Sequence, residues 1–283
     1  MGDCILTTPA LAILKQARPD LRVAIVVEDR FRAIFEGNPD ISEILEPHWR
    51  AVRQWRPDVC LNLHGGGSSA WMTALSGARF RAGFAHFRFD WIYNVKIPRA
   101  QQILGVAGKV HTAEHLASAM FFLGAPRVEI PRARLHAEPA TTSTRPYAVI
   151  HPVAAAEDKT WPAERFLTIA RYLQESFELA PVFIGGHGEE LSGFGDWRTV
   201  AGAPLAEIKS LVAGATLFVG NDSGPAHMAA AFGVPVVVIF GSSDAAVWAP
   251  WRTQGELLQG RDGIRSVSVA DVTGALERLR VRA

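Results

Sequence analysis

Residues 215–241 read ATLFVGNDSGPAHMAAAFGVPVVVIFG, two apolar runs joined by a short polar turn and an alanine-rich segment. VPVVVIFG offers no polar face to water, so it belongs inside a sheet that is covered on both sides. The intervening segment opens at Pro225, a residue at home in the first turn of a helix because its missing N–H has no intrahelical partner there. Ala226, Ala229, Ala230 and Ala231 are small enough to let that helix lie close on the sheet. A strand, a helix and a second strand in this order form a crossover unit, and crossover units build parallel sheets.

The same alternation runs along the rest of the chain. VAIVV (23–27), ISEIL (41–45) and VCLNL (59–63) read as strands, with helical stretches at 31–37, 48–55, 68–77 and 111–123. APRVEIPRARLHAEPATTSTRP (125–146) is rich in Pro, Arg and Thr and reads as an interdomain connection. A second βα series follows, with strands at 147–151, 180–186, 215–220 and 234–241 and helices at 163–176, 204–214 and 269–281. The expected architecture is two α/β domains, 1–140 and 141–283, separated by a cleft, with the final helix free to pack back on the first domain. Ligand sites in such folds lie at the carboxyl ends of the strands.

At the amino end, MGDCILTTPALAILKQARPD reads as a Gly-Asp loop and then a helix that Thr7, Thr8 and Pro9 start and Pro19 stops. Such a helix normally follows a buried strand. The expectation is therefore a first βα unit whose strand is missing, the chain starting downstream of the true first residue.

Composition removes several function classes. A net charge of +1 gives no concentrated basic face for nucleic acid. Two cysteines, Cys4 and Cys60, make neither a disulfide framework nor a zinc site. No apolar run spans a bilayer and no signal pattern opens the chain, so the expected location is cytoplasmic, with peripheral contact at the inner face of the membrane left open.

The chemistry concentrates at Asn221-Asp222-Ser223-Gly224. A helix start presents N–H groups without partners and a partial positive charge, which suits phosphate. The plainer reading is that Asp222 or Ser223 is an N-cap and the glycine serves chain geometry.

GNDSGPAHMAAAFGVPVVVIFGSSDAAVWAPW resembles the C-terminal motif of glycosyltransferase family 9, the bacterial lipopolysaccharide heptosyltransferases. Three further stretches agree in order: GDCILTTPALAILKQARPD, the unit from LNLHG to LSGARFRAGFA, and HPVAAAEDKTWPAERF. The resemblance implies a GT-B fold of two facing Rossmann-like domains, and inverting, metal-independent transfer of a heptose from an ADP-sugar. The acceptor it implies is a lipopolysaccharide core or another lipid-linked or cell-envelope glycan, and no cofactor is called for. The absence of an Asp-x-Asp element agrees with a diphosphate neutralised by Lys and a helix start.

Roles follow from that resemblance. Asp3 matches the aspartate facing the reaction centre, as general base or as a group that holds the acceptor hydroxyl. Lys159 would contact the diphosphate, although a surface lysine beside a helix cap is the plain alternative. Ser223 and Gly224 would give backbone donors to phosphate, and Asp222 would bind hydroxyls of the transferred sugar. His227 would serve donor binding, packing or a hydrogen bond to the loop. Gly185 and Gly186 match a nucleotide loop in which Glu189 accepts from ribose hydroxyls. Thr8, His64 and Arg81, with Arg88 beside them, are the acceptor-side candidates; for His64 a structural role is the alternative.

The chain departs from the family at Val153, where Gly is usual, and lacks the arginine that often follows His-Gly near residue 65. The heptose is thus the family default. The competing reading is a catalytically impaired nucleotide-sugar-binding protein that lost its first strand. A dinucleotide oxidoreductase is disfavoured, because no Gly-x-Gly-x-x-Gly follows an early strand.

Overall fold

The computed structural model describes residues 1–140 and 145–279. The connection expected at 125–146 lies partly outside them, at 141–144; its described part up to residue 140 forms neither helix nor strand. The chain divides into two compact units: Met1–Leu6 together with the chain from Arg132 onward, and Thr7–Pro131. The division falls nine residues before the sequence boundary at 140/141 and assigns the first six residues to the later unit.

Helix α1 (Gly2–Ala17) begins in one unit and continues in the other. It corrects the sequence reading: Gly2-Asp3 is not a loop but the first turn of the helix, and Pro9 lies inside it. An interior proline removes one backbone bond and crowds the preceding turn. That cost is offset by burial of Ile5, Leu6, Ala10 and Ile13, whose spacing forms one helical stripe.

The unit Thr7–Pro131 holds two small parallel sheets. Strands β1 (Ala24–Val26) and β2 (Glu43–Leu45) form one. After helix α2 (Trp49–Trp55), strands β3 (Val59–Asn62), β4 (Phe80–Phe84) and β5 (Val95–Ile97) form the other, with α3 (Gly67–Leu75) crossing from β3 to β4. Helices α4 (Ala100–Leu104) and α5 (Thr112–Phe122) close the unit. The helix expected at 31–37 is a 3-10 turn, Asp29–Ile34. Strand β5 escaped the sequence reading because NVKIP is too short and too polar to give a periodic signal.

The later unit contains β6 (Tyr147–His151), α6 (Ala163–Ser176), β7 (Ala180–Gly185), β8 (Arg198–Ala201), α7 (Leu205–Ala213), β9 (Leu217–Asn221) and α8 (Gly224–Phe232). It continues with β10 (Val236–Phe240), α9 (Ala245–Trp248), β11 (Gly255–Gln259) and α10 (Val269–Leu279). The strand order is β11-β10-β9-β6-β7-β8, and every strand pair among the described residues of this sheet is parallel. The chain starts in the middle, builds outward to β8, then returns to place β9 beside β6. That reversal is the topological switch point of a Rossmann sheet, where ligands bind outside the carboxyl ends of the strands.

One face of the sheet packs on α6 and α10 through Phe166, Ile169, Leu173, Val272 and Leu276, all buried. The final helix thus lies against α6, β10 and β11 of its own unit. Every residue of β9 and β10 is buried, as the apolar run had required. Among the described residues no helix is long and apolar enough to cross a membrane.

Candidate functional site

The switch point puts the ends of β6 and β9 side by side, and the chain there is fastened by one side chain. Asn221, fully buried, accepts the Trp161 backbone N–H through Oδ1 at 3.0 Å and donates Nδ2–H to the Pro152 carbonyl at 2.9 Å. Both partners lie on the stretch that follows β6 and carries Lys159, so Asn221 holds that stretch over the strand ends. Trp161 anchors it from below. Its indole is buried, meets Phe166 edge-on at 5.0 Å, and donates Nε1–H to the Val267 carbonyl at 2.9 Å.

Gly241, just past β10, completes the cradle. A Cβ there would collide with the Asp158 carbonyl, so the 3-10 turn Glu157–Lys159 packs backbone against backbone. Gly220 does likewise near the end of β9, where a Cβ would come within 2.9 Å of the His151 carbonyl.

Ser223 occupies the N-cap position of α8, yet its side chain makes no capping bond. The hydroxyl instead lies 3.0 Å from His151 Nδ1. Capping alone therefore does not account for the Ser, and the first N–H groups of α8 keep the anion-binding character of a helix start. Asp222, partly buried, sits between Ser243 and Lys159. Burial pushes its carboxyl above the ordinary carboxylate range, while a hydrogen bond from Ser243 and the Lys159 charge pull it back.

Glu189 folds back over its own loop: Oε2 accepts the Gly186 N–H at 2.6 Å and lies 3.5 Å from His151 Nε2. The His151 hydrogen bond, followed by the Gly186 N–H, holds this carboxyl below its usual range against the opposing effect of burial. Gly185 and Gly186 make room for the fold-back, since a Cβ on either would press on Glu189 at 3.3–3.4 Å.

His227 is buried in the first turn of α8, against Gly2, where an added Cβ would lie 3.0 Å from the His227 ring. Met1 in turn packs on Gly224. The first turn of α1, including exposed Asp3, therefore adjoins the start of α8 within one unit.

The structure thus brings Lys159, Gly185, Gly186, Glu189, Asp222, Ser223, Gly224 and His227 to one set of strand ends, with Asp3 next to them. Thr8, His64 and Arg81 belong to the other unit. Thr8 is buried within α1. His64 follows β3 on an exposed turn that Asn62 Oδ1 holds by accepting the N–H groups of His64 and Gly65, each at 3.0 Å. The Arg81 guanidinium donates to the Ile92 and Ala78 carbonyls at 3.1 and 3.4 Å, a structural use of its donors. Arg88 stacks on Phe89 at 5.4 Å.

Sequence reasoning gave no part in this site to His151 or Gly241, and placed Asn221 in the turn without its role in fastening the stretch after β6. The signal for His151 was its position as the last residue of the first strand of the series; for Asn221 it was a polar side chain closing an otherwise apolar run.

The profile of glycosyltransferase family 9 (heptosyltransferase) matches residues 46–261. Lipopolysaccharide heptosyltransferase 3 of Escherichia coli K12 is 24% identical, over 98% of this chain and 95% of that protein. Among solved structures, a family 9 glycosyl transferase from Veillonella parvula superposes with a TM-score of 0.85 at 21% identity, covering 98% of this chain and 93% of the other. The E. coli heptosyltransferase WaaC with ADP-2-deoxy-2-fluoro heptose gives 0.79 at 20% identity, covering 98% and 96%. These superpositions show a shared α/β fold with parallel sheets, the GT-B fold. With the profile spanning most of its length and the fold shared end to end, the chain belongs to glycosyltransferase family 9.

Proposed function

We propose that this chain is an inverting, metal-independent heptosyltransferase that moves a heptose, or a related sugar, from an ADP-sugar to a lipopolysaccharide core or other cell-envelope glycan. The observation that carries the proposal is the start of α8 at the switch point, with Lys159 and Asp222 placed beside it. The likeness to a relative solved with an ADP-heptose analogue supports the choice of donor.

The acceptor hydroxyl oxygen attacks the anomeric carbon from the side opposite the diphosphate. The bond from that carbon to the diphosphate oxygen breaks, and its electron pair leaves with ADP. Negative charge grows on the departing phosphate, where the Lys159 ammonium and the N–H groups of α8 meet it. Asp3 takes the proton of the attacking hydroxyl, and Asp222 holds hydroxyls of the sugar in transit. Because a cation and a helix start answer the diphosphate charge, the reaction needs no divalent ion. The test is transfer from ADP-heptose to heptose-free core acceptor, followed as ADP release. Activity within about twofold with and without EDTA is expected; activity that EDTA abolishes and Mg²⁺ restores contradicts the metal-free step.

An acceptor carried on a lipid brings the enzyme to a membrane surface. Trp71 and Trp91, 52% and 65% exposed, meet edge-on at 6.0 Å in the unit Thr7–Pro131. The segment around Trp91, residues 79–96, carries Arg79, Arg81, Arg88 and Lys96 against Asp90 alone. Exposed indoles among cations suit the headgroup region of an anionic bilayer. Co-sedimentation with anionic vesicles, weak with zwitterionic ones and lost on joint Trp71→Ala and Trp91→Ala substitution, is the expected result; binding that the double substitution leaves unchanged removes this surface.

A further inference from the structure

The reason for a glycine at residue 2 lies outside its own helix. Gly2 is not among the glycines with left-handed backbone, and on helix propensity alone Ala is the better residue there. What excludes a side chain is His227 of α8. A Cβ on Gly2 would lie 3.0 Å from Cδ2 and 3.3 Å from Nε2 of that ring, close enough that ring or turn must shift by a few tenths of an ångström. The ring is buried, and in close-packed surroundings it moves only by displacing its neighbours. On the facing helix Gly224 repeats the arrangement, since a Cβ there would come within 2.9 Å of Met1 Cβ. From the other side the turn is held by the buried Ile5 and Leu6, and the Ile5 N–H donates to the Met1 carbonyl at 3.2 Å. Asp3, exposed, stands on the turn fixed between these contacts.

We propose that His227 is a positioning residue for the transfer step: its ring is the stop against which Gly2 seats, and it thereby sets where the Asp3 carboxylate stands. The proposal rests on the reading of Asp3 as the base. A general base works only within hydrogen-bond reach of the hydroxyl it serves. Residues 2 and 3 are consecutive in one helical turn, so a displacement of Gly2 passes directly to Asp3. His227 acts on the base through this backbone contact and not on the donor.

The experiment is steady-state transfer from ADP-heptose by the full chain, with ADP titrations, for Gly2→Ala, His227→Ala and the double variant, and for Gly2→Ala added to Asp3→Asn. Misplacement by 1 Å can cost about a hundredfold, so the smaller shift in Gly2→Ala should lower kcat about tenfold and leave the Kd of ADP within about twofold. With the ring gone, in His227→Ala, the same methyl group should cost less than about twofold, a coupling that the double-mutant cycle reads directly. On Asp3→Asn it should also cost less than about twofold, because the carboxylate it displaces is already absent. A role in folding alone would show neither dependence. If His227→Ala fails to fold, His227→Ser supplies the ring-free background. A kcat for Gly2→Ala within about twofold of wild type, or a tenfold cost that persists in either background, overturns the proposal while the base stands. An ADP affinity lowered about tenfold by His227→Ala makes the ring a donor contact and overturns it as well. A kcat for Asp3→Asn within about threefold of wild type removes the base and this proposal together.

Discussion

Asp3→Asn should lower turnover about a thousandfold, the middle of the range for loss of a positioned general base. It should leave ADP affinity unchanged. The side chains are nearly isosteric, and Met1 and Gly2 keep their contacts with Gly224 and His227, so the loss would fall on kcat rather than on folding. Asp222→Ala makes the contrasting case. It should weaken ADP-heptose binding more than ADP binding, because in the proposed site Asp222 holds the sugar and other residues hold the diphosphate. Steady-state kinetics with ADP titrations of both variants separate the two roles. A kcat for Asp3→Asn within threefold of wild type would remove Asp3 as the base, and equal losses for ADP and ADP-heptose in Asp222→Ala would remove its sugar role.

Trp161→Ala should destabilise the later unit by about 3–5 kcal/mol, the range for emptying a buried aromatic site. The substitution removes the indole from its edge-on contact with Phe166 of α6 and leaves the Val267 carbonyl without its Nε1–H partner. The backbone N–H that Asn221 accepts remains, but the segment bearing it loses its anchor, so Lys159 should lose its fixed position over the strand ends. Urea unfolding should show the change as a lower midpoint, with ADP affinity reduced as well. An unchanged midpoint would mean that the stretch is held by Asn221 and Gly241 alone.

The later unit was largely legible from sequence because its strands are buried on both faces, and long apolar runs such as VPVVVIFG announce themselves. Its proposed donor-side residues come from resemblance at the turn before α8, where helix-start chemistry gives a short stretch a physical meaning. His151 and Asn221 stayed hidden because their roles come from the sheet order. Nothing local says that residue 151 and residue 223 will be neighbours, and the apolar run at 215–220 ends one residue before Asn221. At the amino end, Thr7-Thr8-Pro9 is a strong local start signal, and it misled. The buried stripe from Ile5 to Ile13 outweighed the proline, a tertiary preference overriding a local one. Strands β4 and β5 are short and interrupted by polar residues, so only their pairing defines them.

The switch point also fixes the order in which the later unit can acquire its ligand site. The bonds that assemble it join residues far apart in the chain: Asn221 to Trp161 and Pro152, and Ser223 to His151, span 60, 69 and 72 positions. Strands β6, β7 and β8 leave the ribosome first, and the central edge of β6 stays open until β9 docks against it. Such long closures form late and slowly. A half-made unit therefore has His151 and Lys159 but no crevice for them to line. Nucleotide should recognise only the finished sheet, so it would stabilise the completed unit by mass action without drawing on any intermediate.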